Sequence, residues 1–152
     1  MEDTTHSFRN VAKDYTAPIA IESFHHVSIV VTDLGRAKAF YGEVLGLCEL
    51  TRPPFDFGGA WYELGDRQLH LIVHPPARTV RGTTAIDSRD GHFAVRVTDY
   101  DQTLAYLKSR GVTVRESRQN VTPWSQLYIT DPDGNVIEFN VEREQNNRRD
   151  ER

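Results

Sequence analysis

Cysteine is almost absent. Cys48 is the only one in 152 residues, so no intrachain disulfide can form, which suits a reducing cytoplasm. Long apolar runs are also missing: no stretch approaches the roughly 18 apolar residues of a membrane-spanning helix. Met1-Glu2-Asp3-Thr4-Thr5-His6 has neither the apolar core nor the small-residue cleavage site of a secretory signal, so a cytoplasmic location is expected, with no membrane partner. Positive charge is not in excess. The formal net charge is −4 and no basic stripe runs along the chain, which leaves no electrostatic footprint for nucleic acid. Residues 143–152 contain no apolar side chain, and such a polar tail cannot offset its ordering entropy by burial. Residues 1–20 are polar and aperiodic; they read as an arm, either disordered or laid across a partner subunit. What remains, residues 21–142, has the size and apolar balance of one compact domain.

That domain repeats itself. His26-Val27-Ser28-Ile29-Val30-Val31-Thr32-Asp33 aligns with His92-Phe93-Ala94-Val95-Arg96-Val97-Thr98-Asp99 at constant offset, and Ala39-Phe40-Tyr41 falls on Ala105-Tyr106-Leu107 at the same offset. Each copy starts with a strand that ends at an Asp, a good helix N-cap, and continues with a helical pattern. The second helix closes at Gly111. Short strands follow: 47–51, 60–64 and 68–73 in the first half, then 112–115, 126–130 and 136–141 in the second. Gly65-Asp66 and Asp131-Pro132-Asp133-Gly134-Asn135 are the turns before the last strand of each half. The fold class expected is α+β. Two βαβββ modules, about 21–75 and 90–142, form an eight-stranded, half-open cupped sheet with helices on its outer face.

Strand alternation says which side chains enter the cup, because residues two apart share a face. Val27, Ile29 and Val31 pack while His26 and Ser28 oppose them; Leu69, Leu71 and Val73 pack while Gln68, His70 and His74 oppose. Phe93, Val95 and Val97 pack while His92 and Arg96 oppose them; Ile137, Phe139 and Val141 pack while Glu138 and Asn140 oppose them. One histidine on a strand is usually a structural residue. Four metal-competent groups at matching places of a repeat, all on the non-packing face, point to one divalent ion held by His26, His70, His92 and Glu138. Imidazole and carboxylate suit zinc, nickel, manganese, cobalt or iron without choosing among them.

The same residues carry a resemblance. His26-Val27-Ser28-Ile29-Val30-Val31-Thr32-Asp33-Leu34 with Phe40-Tyr41, Val44-Leu45-Gly46-Leu47, Gly91-His92, and Asp131-Pro132-Asp133-Gly134-Asn135-Val136-Ile137-Glu138 are similar to marks of the vicinal oxygen chelate superfamily over residues 21–142. This superfamily includes glyoxalase I, fosfomycin-modifying enzymes, bleomycin-binding proteins, methylmalonyl-CoA epimerase and extradiol dioxygenases. The resemblance implies metal ligands on the first and last strand of each half, the four positions that alternation selects. It also implies a small-molecule substrate that chelates the ion through neighbouring oxygens, and a homodimer. Glyoxalase I has Glu at the second ligand position, where this chain has His70. Fosfomycin-modifying enzymes use only the first, third and fourth positions (His26, His92 and Glu138), with a Thr where this chain has Ser28. Their basic phosphonate-binding residues have no clear counterpart in Arg148 and Arg149. Bleomycin-binding proteins lack metal ligands, and extradiol dioxygenases are usually about twice as long.

The activity expected is that of a glyoxalase-like lyase or isomerase, with Glu138 or His70 as proton acceptor. The alternatives are a resistance protein that modifies or sequesters an antibiotic, and an iron-dependent dioxygenase. Substrate contacts are expected from Ser28, Arg96, Trp61, Phe57 and Trp124. Arg96 would hold a carboxylate or phosphate, or else pair with a neighbour such as Glu63. The loop Pro53-Pro54-Phe55-Asp56-Phe57-Gly58-Gly59 reads as a lid or a static turn. His25 should point away from His26.

Overall fold

A computed structural model describes residues 18–143; the expected arm up to residue 17 and the tail beyond residue 143 lie outside the described residues. The elements run β1 (His26–Val31), α1 (Leu34–Lys38), a π-helical turn (Ala39–Val44), β2 (Glu49–Leu50), β3 (Gly59–Leu64) and β4 (Arg67–Val73), then β5 (His92–Arg96), α2 (Tyr100–Ser109), β6 (Arg115–Ser117), β7 (Trp124–Thr130) and β8 (Val136–Glu142). This is the expected pair of βαβββ modules. The strands form two four-stranded sheets, ordered β1-β4-β3-β2 and β5-β8-β7-β6. In each, the first strand runs parallel to the last and the remaining pairs are antiparallel.

Both Asp caps form as the repeat requires: Asp33 accepts from the Arg36 N–H and Asp99 from the Gln102 N–H. β6 starts later than expected. The Val112 N–H bonds back to the Leu107 carbonyl and the Gly111 N–H to Lys108, a Schellman-type closure of α2. Val112 and Val114 are therefore spent on packing against the core, and ladder pairing begins only at Arg115.

One core serves both modules. It holds Val31, Ala37, Phe40, Tyr41, Leu69 and Leu71 of the first with Leu107, Ile129 and Ile137 of the second. Val27, Ile29, Phe93 and Phe139, the packing faces of β1, β5 and β8, join it. The two sheets thus bury their apolar backs together, and their histidine-bearing faces lie on the sides away from that core.

The Asp131–Asn135 turn locks the modules. Asp131 is buried and accepts from the Tyr41 hydroxyl at 2.8 Å, the Asn135 side chain at 2.8 Å, and the backbone of Asp133 and Asn135. Asp133 accepts from the Thr32 N–H, the Thr32 hydroxyl and Arg36, and Asn135 donates to the Val30 carbonyl of β1. Tyr41→Phe deletes one donor to a carboxylate that keeps three others. The expected cost is roughly 2 kcal/mol of unfolding free energy with no change in fold, read by urea denaturation.

Candidate metal centre

The four candidate ligands are brought together as two pairs. His26 and His70 lie on neighbouring strands of the first sheet, His92 and Glu138 on neighbouring strands of the second. In each pair the residue on the edge strand is exposed (His26, His92) and the residue one strand further in is buried, with His70 7% and Glu138 5% exposed. Among the described residues no group of three or more His, Cys, Asp or Glu converges in a metal-holding arrangement within one chain. Within one chain the four expected ligands stand as two separate pairs, one in each sheet. Both sheets turn their apolar faces to the shared core, so the faces that carry these ligands lie away from it.

The second pair is tightly specified. His92 Nδ1 lies 2.7 Å from the Asp90 carbonyl oxygen, which can only accept, so Nδ1 carries a proton. In the neutral ring the Nε2 lone pair then faces Glu138 Oε2 at 3.2 Å. Glu138 Oε1 is occupied by the Gln126 amide at 2.9 Å and the Asn140 amide at 3.0 Å. Burial pushes the Glu138 carboxyl up, but hydrogen bonds led by those from Asn140, Gln126 and Tyr128 outweigh it and hold the group below its ordinary value. Two acceptors aimed at each other require a cation between them, either a proton or a metal. With metal–donor bonds of about 2.0–2.2 Å, neighbouring ligands of one ion sit about 3.0–3.5 Å apart, and the 3.2 Å here falls in that range. These residues fit a divalent ion. Tyr128 closes the floor edge-on to His92, and burial, then the Glu138 charge, pushes its phenol up to about 12.

The first pair is arranged differently. The His70 ring is sandwiched: Trp61 stacks on one face at 4.1 Å and His26 lies 4.1 Å away, 17° from parallel. His70 Nε2 meets Gln68 Oε1 at 2.8 Å. Burial, then His26 and His25, pushes the His70 imidazole down. His25 does not point away: its Nδ1 lies 2.8 Å from His26 Nδ1, because residue 25 precedes the strand and escapes its alternation.

Other expected contacts find their places. Ser28 pairs with His70 across β1 and β4. Arg96 approaches Glu142 at 3.7 Å rather than the expected Glu63, and its guanidinium also lies over Trp124 at 5.7 Å. Phe57 stacks on Phe55, Phe55 leans on Trp61, and Arg52 covers both phenyl rings while donating to the Phe57 carbonyl. That ledge reads as a built wall beside the first pair. The sequence pattern alone does not mark Gln68, Gln126, Tyr128 or Asn140 as functional. Gln68 and Asn140 share faces with candidate ligands and so are within reach of alternation, whereas Gln126 and Tyr128 depend on the β7–β8 register.

Comparison with known proteins agrees with this architecture. The family model described as Glyoxalase/Bleomycin resistance protein/Dioxygenase superfamily matches residues 23–139. The uncharacterized protein YaeR of Escherichia coli is 31% identical over 130 residues, covering 80% of this chain and 97% of its own. Glutathione transferase FosA of Serratia marcescens is 29% identical over 121 residues, covering 80% and 82%. A glyoxalase family protein from Bacillus anthracis superposes with a TM-score of 0.69 at 25% identity, covering 84% of this chain and all of its own. The chain belongs to the glyoxalase/bleomycin resistance protein/dioxygenase superfamily.

Proposed function

We propose that the chain is a divalent-metal-dependent enzyme of the glyoxalase type, a lyase or isomerase acting on a small substrate with neighbouring oxygens, and that its metal centre lies between two copies. The observation that carries this reading is the approach of His92 Nε2 to Glu138 Oε2, two acceptors at 3.2 Å that need a cation. The homodimer is supported by the edges. β1 and β5 each pair with one neighbour only and carry His26 and His92 at their starts. An open edge is a template for another strand, and apposing β1 of one copy with β5 of another would join the two polar faces into the cup.

A bound divalent ion would stabilise negative charge on a substrate oxygen. The chain's own groups do the rest. Gln126 and Asn140 fix Glu138 Oε1, which leaves Oε2 as the one carboxylate oxygen turned toward the site and able to take a proton. Ser28 and the Trp61 wall line the first pair's side, and Arg96 beside Trp124 offers a guanidinium to a carboxylate or phosphate.

A second reading, thiol addition to an antibiotic, is favoured by the His26, His92 and Glu138 set together with the FosA relative. Elemental analysis with light scattering tests the shared reading; the expected result is one ion per chain in a dimer. A metal-free protein would remove the enzyme assignment, and a fully loaded monomer would remove the composite site. Turnover of a 2-oxoaldehyde–glutathione adduct against glutathione addition to fosfomycin then separates the two chemistries.

A further inference from the structure

Resting on that metal-centre reading, we infer that His70 is not a metal ligand but a flat plate that fixes the ring plane of His26, so that the ion takes three protein groups: His26, and His92 and Glu138 of a second copy. Imidazole lone pairs lie in the plane of the ring. His26 and His70 are stacked, with centroids 4.1 Å apart and planes 17° from parallel. An ion bonded in the plane of one ring at about 2 Å stays well beyond bonding distance of the other ring's nitrogens. The two cannot serve one ion as they stand.

His70 is also held where it is. Trp61 covers its other face at 4.1 Å and 5° from parallel, and Gln68 Oε1 accepts from its Nε2. Turning His70 toward an ion would break both stacks and that hydrogen bond in a buried position. His26 is the freer ring, on an exposed edge strand, with Nδ1 engaged by His25 and Nε2 available. Glu138, at the place in the second module that His70 holds in the first, shows the contrast. Gln126 and Asn140 hold its Oε1 while Oε2 is turned toward His92, and Tyr128, in the place of Trp61, stands edge-on to His92 and covers no ligand face. His70 is thus a positioning residue acting through His26.

The test compares a ring without nitrogen against no ring. His70→Phe keeps the stack and cannot coordinate; His70→Ala removes both. Calorimetric titration with Ni2+ or Mn2+ is expected to find His70→Phe close to the wild type, and His70→Ala weakened about ten- to a hundredfold, as for loss of a group that orients a ligand. Equal loss in both variants would make His70 a ligand, and wild-type affinity in both would remove the plate. Pulsed EPR on the Cu2+-loaded wild-type dimer, which needs no variant, should count two coordinated imidazoles per ion; three would overturn the inference. A wild type that binds no ion overturns the metal reading itself, an outcome distinct from metal bound by three imidazoles.

Discussion

Glu138→Gln is expected to cut divalent-metal affinity by more than about a hundredfold, beyond the range for groups that only orient a ligand. The exchange is nearly isosteric, and its effect on the fold is foreseeable from the hydrogen bonds. The new amide oxygen still accepts from Gln126 and Asn140, while the new amide N–H points at His92 Nε2 and donates to it. The cation between the two acceptors is then replaced by an N–H···N bond. The Gln126 and Asn140 amides and His92 Nε2 all keep a partner, so the metal-free variant should melt near the metal-free wild type. The wild type should gain about 4 kcal/mol when the ion is present at a thousand times its dissociation constant, and the variant no more than about 1.4 kcal/mol at the same concentration. The pH dependence has a definite sign. The folded-state value of Glu138 is depressed, so the stability its ionised form contributes is present above the ordinary carboxylate range and lost as pH falls through the depressed value. The Gln variant should lack that acid-side loss. Calorimetry and thermal melts with and without metal check both halves; an unchanged dissociation constant would remove Glu138 from the centre.

The internal repeat makes the two modules legible in the sequence. Val-Thr-Asp recurs at the end of each first strand, and both Asp residues cap helices as the pattern requires. Alternation places His26, His70, His92 and Glu138 on non-packing faces, and the core composition agrees, since Val27, Ile29, Leu69, Leu71, Phe93 and Ile137 all pack inward. Alternation assigns a residue to a face but does not say where that face points. The direction follows from residues 74–91, which cross between the modules without periodicity, and from the shared core, beside which Tyr41 of one module reaches Asp131 of the other. The split into two pairs is therefore invisible in the strand pattern. So is the stacking of His70, because one strand's pattern carries no register for the Trp61 opposite it. Val112 misleads for a related reason: an apolar residue after a helix can extend a ladder or staple the helix end, and the Leu107 carbonyl decides for the second.

Gly134→Ala is expected to be the most damaging single-methyl change in the chain, costing about 3–5 kcal/mol and lowering the melting temperature by roughly 6–20 °C. Two independent penalties meet there. Gly134 has φ +86°, in the left-handed region where a side chain is strained, and a Cβ at that position would overlap the Thr83 carbonyl oxygen. That carbonyl belongs to backbone held in place nearby: Thr130 donates to the Thr84 carbonyl, and Arg81 donates to the Gly134 carbonyl at 2.6 Å while pairing with Asp90. Neither side can give way cheaply. Gly65→Ala is the control, because Gly65 shares the positive φ (61°) at the equivalent turn of the first module but meets nothing within 4 Å. It should lose only the conformational part, about 1–2 kcal/mol. The difference between the two variants isolates the overlap, and equal melting temperatures would show that the crossing segment yields freely. The consequence should reach the metal centre. Gly134 immediately precedes Asn135, whose side chain donates to the Val30 carbonyl of β1, the strand that starts at His26. Displacing the turn loosens β1 against the second module, so a folded Gly134→Ala protein should bind metal more weakly while Gly65→Ala binds it as the wild type does.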